Sequence, residues 1–496
     1  MVTFKRVLVA ALLLVLAWAN VGARGKPAEP AGAAGLPAVD LVWYYPGNYP
    51  QPDQDYVFGK VNEVLQEKIN ATVDFKATPW GDYDQKMQVI IASGEPYDLC
   101  FTANWINNYH HNVAKGAFTP LGDLLVEYAP GLWGMVPEKI WAATKVKGEI
   151  YGIINYQISA MTSGMAFPKA LVEKYNFDIS SIRKLEDVEP YLRSIRDGEP
   201  GMTPLGVYNT PGTTIGYVNA YLGFEEIGGR AVPGVIVGND PDMKVVNQFK
   251  TDIFKDWIGL MRQSYLAGYI QKDAIAVTDA NPNLSAAKVG CWFVGNYKPG
   301  GDAEDSARVG YPVLNTPIST PLLITSSIIS TMHGISVTSE NPERAMMLME
   351  ELNTDKELYN LLAFGEEGRH YSKIGPNRVE PIKDSAYFPS TLWLHASTFN
   401  AYLLPGQPED VWDQTRELNM TAEASPIIGF AFDPEPVQSE ISQCTSVRKE
   451  FLPALELGTV DPDEVLPEFL DKLDKAGAQR IIDEMQSQID VWRASR

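Results

Sequence analysis

Residues 39–101 run through five segments of changing hydrophobic period, and that alternation restricts the chain to a few architectures. Val39-Asp40-Leu41-Val42-Trp43-Tyr44 is strand-like and closes at Pro46-Gly47. Val57, Val61, Val64, Leu65 and Ile69 then share one face of a helix. Residues 72–76 read as a second strand, and residues 83–92 as a second helix with Met87, Ile90 and Ile91 on its apolar face. Ser93-Gly94-Glu95-Pro96 breaks that helix before a short buried strand, Leu99-Cys100-Phe101. Strand, helix, strand, helix, strand predicts right-handed βαβ units on a parallel sheet.

A second α/β unit is expected further on. Residues 149–155 are strand-like after the turn at Lys147-Gly148, and look like a crossing into that unit. Residues 161–167 are extended, Pro168 opens a helix at a position where a missing N–H costs nothing, and residues 185–196 are helical. Residues 204–208 and 289–294 return as strands. A strand at 334–338 leads to Asn341-Pro342-Glu343, a helix start with Ala345, Met346, Met349 and Leu352 on the core face. The last 140 or so residues read mainly as helices and long loops, by the same periodicity. One helix starts at Asp461-Pro462 and stops at Gly477, and a final one carries Ile481, Ile482, Met485, Ile489 and Trp492. Two α/β units in one chain predict a cleft between lobes, where small ligands sit.

Several function classes are disfavoured. Against 41 Lys plus Arg stand 62 Asp plus Glu, a net charge of −21 that repels phosphate backbones and anionic lipid, so no nucleic-acid partner is expected. No GxxxxGK[ST] loop, HExxH helix, GxSxG elbow or GxGxxG fingerprint occurs, which argues against ATPase, zinc hydrolase and dehydrogenase. The 496 residues suggest two to four domains. Three cysteines, Cys100, Cys291 and Cys444, are too few for a disulfide scaffold. One pair could bond, but the odd count and wide spacing favour three buried thiols.

The first residues read as an address. Lys5 and Arg6 precede an apolar run over residues 7–18, followed by small residues ending Val21-Gly22-Ala23, which is the pattern of a secretory signal peptide over 1–23. The run is too short to span roughly 30 Å of hydrocarbon, which sets aside a membrane anchor. No cysteine stands near the cleavage site for lipid attachment, so an exported, periplasmic or extracellular protein is expected. Residues 24–37, rich in Ala, Gly and Pro, read as a disordered leader.

Several motifs, taken in order, resemble the family 1 extracellular solute-binding proteins of ATP-driven (ABC) importers. They are Trp80-Gly81-Asp82-Tyr83 with Ile91-Ala92-Ser93-Gly94-Glu95-Pro96-Tyr97-Asp98, then Lys115-Gly116-Ala117-Phe118-Thr119-Pro120-Leu121 and Gly148-Glu149-Ile150-Tyr151-Gly152-Ile153. His333-Gly334-Ile335 with Asn341-Pro342-Glu343-Arg344-Ala345 follows. Ser425-Pro426-Ile427-Ile428-Gly429-Phe430-Ala431-Phe432-Asp433 and Gln486-Ser487-Gln488-Ile489-Asp490-Val491-Trp492 resemble a C-terminal domain of unknown function appended in one subgroup. Each motif is weak alone; their order and spacing are fairly specific.

The resemblance implies an α/β, two-lobed, type II periplasmic-binding-protein-like fold with hinge strands and a mainly helical C-terminal region. Lobe 1 would comprise 38–153 completed by about 326–365, lobe 2 would comprise 154–325, and 366–496 would pack on lobe 2. The implied function is capture of a small polar ligand, a sugar or oligosaccharide first, and delivery to ABC permease subunits in the membrane by a monomer. Many relatives are lipoproteins, and the missing lipid-bearing cysteine departs from them, which puts surface anchoring in doubt. An exported carbohydrate-active enzyme and the ligand-binding subunit of a sensory system are the alternatives.

A neutral sugar offers apolar C–H faces and a rim of hydroxyls, so its binder needs aromatic platforms beside polar side chains. Tyr44 and Tyr45 follow the first strand, Trp80 and Asp82 the second, and Asn104, Trp105, Asn107 and Tyr109 the third. All three loops should gather at the carboxyl edge of a parallel sheet. Asn155 and Tyr156 lie beside the expected hinge strand, Trp292 and Asn296 end another strand, and Trp393 and Asn400 lie in the long loop region. Core or loop packing competes with ligand contact for each aromatic. His110-His111 lack a carboxylate or cysteine at ligand spacing and read as surface loop residues, so neither metal nor cofactor is expected. No motif nominates the paired carboxylates of a glycosidase, and no catalytic residue is assigned.

Overall fold

The computed structural model describes residues 35–208, 213–229, 232–277 and 280–495. The signal peptide expected over 1–23 and most of the leader lie outside the described residues.

The first sheet has the order Ala71–Pro79, Val39–Gly47, Leu99–Thr102, Met332–Ile335, Ile153–Ile154. Its first three strands are parallel, in register from Val39 opposite Ala71 to Gly47 opposite Pro79. Met332–Ile335 runs antiparallel to both of its neighbours. It arrives from the other lobe, so no crossover helix dictates its direction. Layers cover both faces of the sheet, so Trp43 and Tyr45 on one face and Tyr44 on the other are all buried. The helix Gln54–Ile69 buries Val57, Val61, Leu65 and Ile69, one residue per turn. It ends at Asn70 in the left-handed region, whose N–H returns to the Gln66 carbonyl.

The second sheet has the order Val313–Pro317, Gly164–Pro168, Val289–Val294, Thr203–Gly206, with parallel pairing only between the last two. A three-stranded ribbon joins the lobes, with Leu322–Leu323 between Ala160–Met161 and Glu423–Ala424. The chain therefore crosses between lobes three times. Asn419 clamps the first crossing, accepting from Ser159 N at 2.7 Å and Ala160 N at 3.1 Å and donating to the Gln157 carbonyl at 2.6 Å.

Two expectations need correction. Residues 149–155 do not cross between lobes: Glu149–Ile150 pairs with Lys145–Val146 in a hairpin, and Ile153–Ile154 is the edge strand of the first sheet. The crossing follows it. Residues 366–496 do not all pack on the second lobe. Tyr371, Val379, Tyr387, Leu394, Phe399, Tyr402 and Ala422 belong to the first core, whereas Ile427, Phe451, Phe469, Ile481 and Met485 belong to the second. The third crossing, at Glu423–Ala424, explains the split. Cys100, Cys291 and Cys444 are all buried, free thiols.

Candidate functional site

Three of the expected aromatics converge. Trp80 opens the helix Trp80–Ser93 directly after Pro79, rather than lying in a loop. Trp105 sits in the turn after Leu99–Thr102, and Trp393 in the long connection after Arg378–Pro381. The Trp80 and Trp393 rings stack with centroids 5.8 Å apart, and Trp105 lies 6.0 Å from Trp80 and 6.3 Å from Trp393. Phe101 supports the group from beneath, edge-on to Trp105 and Trp393. Trp105 keeps 50% of its surface exposed.

Polar groups fix two of the three indoles. Trp80 Nε1 donates to Asn48 Oδ1 at 3.1 Å, and the same amide donates through Nδ2 to the Pro389 carbonyl at 2.9 Å. Asn48 therefore ties the helix that carries Trp80 to the connection that carries Trp393. Trp105 Nε1 donates to the Ser330 carbonyl at 2.8 Å.

Trp393 also lines a recess of about 110 Å³ between the lobes. Lys298, Glu304 and Arg308 enter it from the second lobe, opposite Thr398, Leu404 and Trp412. Lys298 Nζ pairs with Glu304 at 2.7 Å and Arg308 with Asp305 at 2.7 Å, so both cations meet carboxylates of their own lobe. Sequence reasoning missed Lys298, Glu304, Arg308 and Trp412. Only the lobe arrangement brings the helix Gly301–Val309 against the C-terminal segment, and no local motif marks it.

The other expected site residues lie elsewhere. Tyr45 is fully buried, its ring 4.9 Å from His395. Tyr44 packs edge-on against Tyr97 under Lys86. Asp82 is exposed and lines a shallow groove with Tyr44, Lys86 and Glu95, because two residues after Trp80 a helix has turned to another face. Tyr109 is core, donating to the Thr144 carbonyl at 2.6 Å and accepting from Tyr151 N at 3.2 Å. Tyr156 packs edge-on against Phe399 beside the hinge, and Trp292 is buried within its strand. Asn104 is half-buried and lines a second interlobe recess with Asn108, His110, His111 and Glu225. Burial pushes the Glu225 carboxyl up to about 7, partly offset by a hydrogen bond it accepts from the Ser425 hydroxyl. Among the described residues, no group of three or more His, Cys, Asp or Glu is placed to hold a metal ion.

Two α/β lobes and a triple crossing between them define a hinged, two-lobed solute receptor of periplasmic-binding type. The family model described as bacterial extracellular solute-binding protein matches residues 46–357, and a domain of unknown function, DUF3502, matches residues 426–494. This chain belongs to the bacterial extracellular solute-binding protein family. It is 31% identical over 481 residues to a carbohydrate ABC transporter substrate-binding protein of Streptococcus pneumoniae, covering 94% of this chain and 93% of the relative. The crystal structure of the N-glycan transport solute binding protein NgtS from Streptococcus pneumoniae is similar at 28% identity with a TM-score of 0.80, over 92% of this chain and 98% of that one. NgtS in complex with Man1GlcNAc superposes with a TM-score of 0.75 at 27% identity, over 91% and 99% of the two chains. The alginate-binding protein AlgQ2, at 16% identity and a TM-score of 0.60 over 93% and 100%, shares the fold. Among the described residues no helix is long and apolar enough to cross a membrane.

Proposed function

We propose that this chain captures an oligosaccharide in the interlobe cleft and delivers it to the membrane subunits of an ABC importer. The observation that carries this reading is the convergence of Trp80, Trp105 and Trp393, the last of which also lines a recess walled by both lobes. Indole faces stack on the C–H faces of pyranose rings, while Lys298, Glu304, Arg308 and Thr398 offer donors and acceptors to hydroxyls. A platform and an adjoining recess that share Trp393 suit a ligand of more than one sugar unit. The NgtS complex with Man1GlcNAc supports mannosyl-N-acetylglucosamine oligosaccharides as the first class to test.

Rotation about the three crossings opens and closes the cleft. A ligand that touches both lobes stabilises the closed state by its differential affinity for it. The closed form is then what the permease receives, and one copy of the chain provides both walls. Export through the amino-terminal segment 1–23 places that copy outside the cytoplasm.

A thermal-shift screen of residues 24–496 against mannosyl-N-acetylglucosamines, fructans, uronate oligomers and peptides tests the reading. A saccharide that binds only the folded state raises Tm by mass action and is recovered intact. A shift with peptides alone refutes the carbohydrate assignment, and recovery of cleaved sugar moves the chain to an enzyme class.

A further inference from the structure

We propose that Asn155 is a positioning residue for the ligand platform, tying the connection that carries Trp393 to the hinge. This rests on the reading of the tryptophan cluster as a sugar platform.

Asn155 is buried and directly follows the edge strand Ile153–Ile154, where the chain leaves the first lobe. Its backbone N–H donates to the Thr331 carbonyl at 3.1 Å, which continues the pairing of Ile153–Ile154 with Met332–Ile335. Its side chain points away from the hinge and spends both amide hydrogens on consecutive carbonyls, Trp393 O at 3.2 Å and Leu394 O at 2.6 Å. Its Oδ1 lies 3.0 Å from His333 Nδ1. Burial holds the His333 imidazole well below its usual range, so the ring is neutral at pH 7 and presents one N–H. With Nδ2 committed to two carbonyls, Oδ1 must accept, and Nδ1 of His333 must carry that hydrogen. A flipped amide would set Oδ1 against two carbonyl oxygens. The network therefore admits one orientation.

The connection between Arg378–Pro381 and Thr398–Asn400 contains no helix or strand, so the position of the Trp393 indole depends on bonds from outside it. Tyr359 holds the Leu392 carbonyl and Asn48 the Pro389 carbonyl. Asn155 holds the carbonyl of Trp393 itself and is the one of the three that stands where the chain leaves the first sheet for the crossing at Ala160–Met161. The buried Asn155 amide thus links the end of the first-sheet edge strand to the backbone of Trp393, beside the bonds of Ser397 Oγ and Thr398 N to the Tyr156 carbonyl.

The test pairs Asn155→Leu, similar in volume and without donors, with Asn155→Ser, which keeps a small polar group if the first variant does not fold. Hydrogen exchange of the free protein comes first. The account expects residues 390–396 to exchange about tenfold faster or more, as loss of buried hydrogen bonds worth ~1 kcal/mol each implies, with Val39–Gly47 unchanged. Wild-type protection across 390–396 in both variants overturns the proposal. The second readout is a double-mutant cycle with Trp393→Ala, using a Man-GlcNAc oligosaccharide as probe. Asn155→Leu raises Kd about tenfold alone and adds nothing in the Trp393→Ala background, because it acts through that indole. Additive losses overturn the proposal, since they place the effect of Asn155 elsewhere. If the wild type binds no saccharide, the proposed function fails, and the exchange measurement still decides whether Asn155 positions the connection.

Discussion

Replacing Trp105 by Ala removes the most exposed wall of the tryptophan cluster while leaving the core beneath it in place. An indole side chain presents roughly 250 Å². Trp105 leaves 50% of its surface open, so a pyranose stacked on one face covers about a quarter of the total, roughly 60 Å². At ~25 cal/mol per Å² that area contributes about 1.5 kcal/mol, a loss of about tenfold in affinity. Trp105→Phe keeps a smaller ring but loses the bond to the Ser330 carbonyl, so its Kd should fall between the two. Isothermal titration with the best saccharide of the screen measures both. The free Trp105→Ala protein should have a lower Tm, because the buried half of the indole packs on Trp80, Phe101 and Trp393, so Kd is measured well below the unfolding transition. A Kd within twofold of wild type for both Trp105→Ala and Trp80→Ala would refute the platform.

Tyr45→Phe should leave Kd unchanged in the same titration, since its ring is buried against Trp43 and His395 and no ligand can reach it. Glu225 sets a pH dependence of stability. Its folded pKa, about 7, lies above the ordinary 4.5, so the folded state binds the proton more tightly and stability falls as pH rises from about 4.5 to about 7, by about 3 kcal/mol. Glu225→Gln should therefore raise Tm at pH 8 and have little effect at pH 4; an equal shift at both would contradict this. His395 works on the acid side: burial holds its imidazole down to about 3, so stability is lost as pH falls below about 6.5, where the unfolded ring gains its proton first. Urea titrations across pH should show a decline below pH 6.5 that His395→Gln makes shallower. Gly458 has φ +66, and a Cβ there would stand 2.3 Å from the Met261 carbonyl oxygen. Gly458→Ala should lower stability by ~2 kcal/mol or more, seen as a lower Tm with Kd unchanged at temperatures where the protein stays folded.

Local pattern carried much of the first lobe. The alternation over residues 39–101 specifies three parallel strands and two helices because each segment shows its own period and a breaker at its end. The antiparallel return of Met332–Ile335 and the three crossings were less legible, since short strands of two residues have too little sequence to carry a period. Among site residues, Trp80, Trp105 and Trp393 were named from loop position and do meet. Tyr44, Tyr45, Tyr109, Tyr156 and Trp292 were named on the same grounds and are buried. Residue type does not distinguish them: an aromatic at a strand end faces either the cleft or the layer above, and only the register and the covering helix decide which. The positioning amides, Asn48 and Asn155, bond to partners more than 200 residues away and leave no mark in their neighbourhood.

Radical footprinting of the ten tryptophans in residues 24–496, with and without saturating saccharide, addresses the central claim most directly. The account predicts that Trp80, Trp105 and Trp393 lose reactivity on binding while the exposed Trp133, on the far helix Pro130–Met135, does not change. Protection confined to tryptophans other than these three and Trp412, which lines the adjoining recess, or none at these three under conditions where calorimetry shows the saccharide bound, would contradict it.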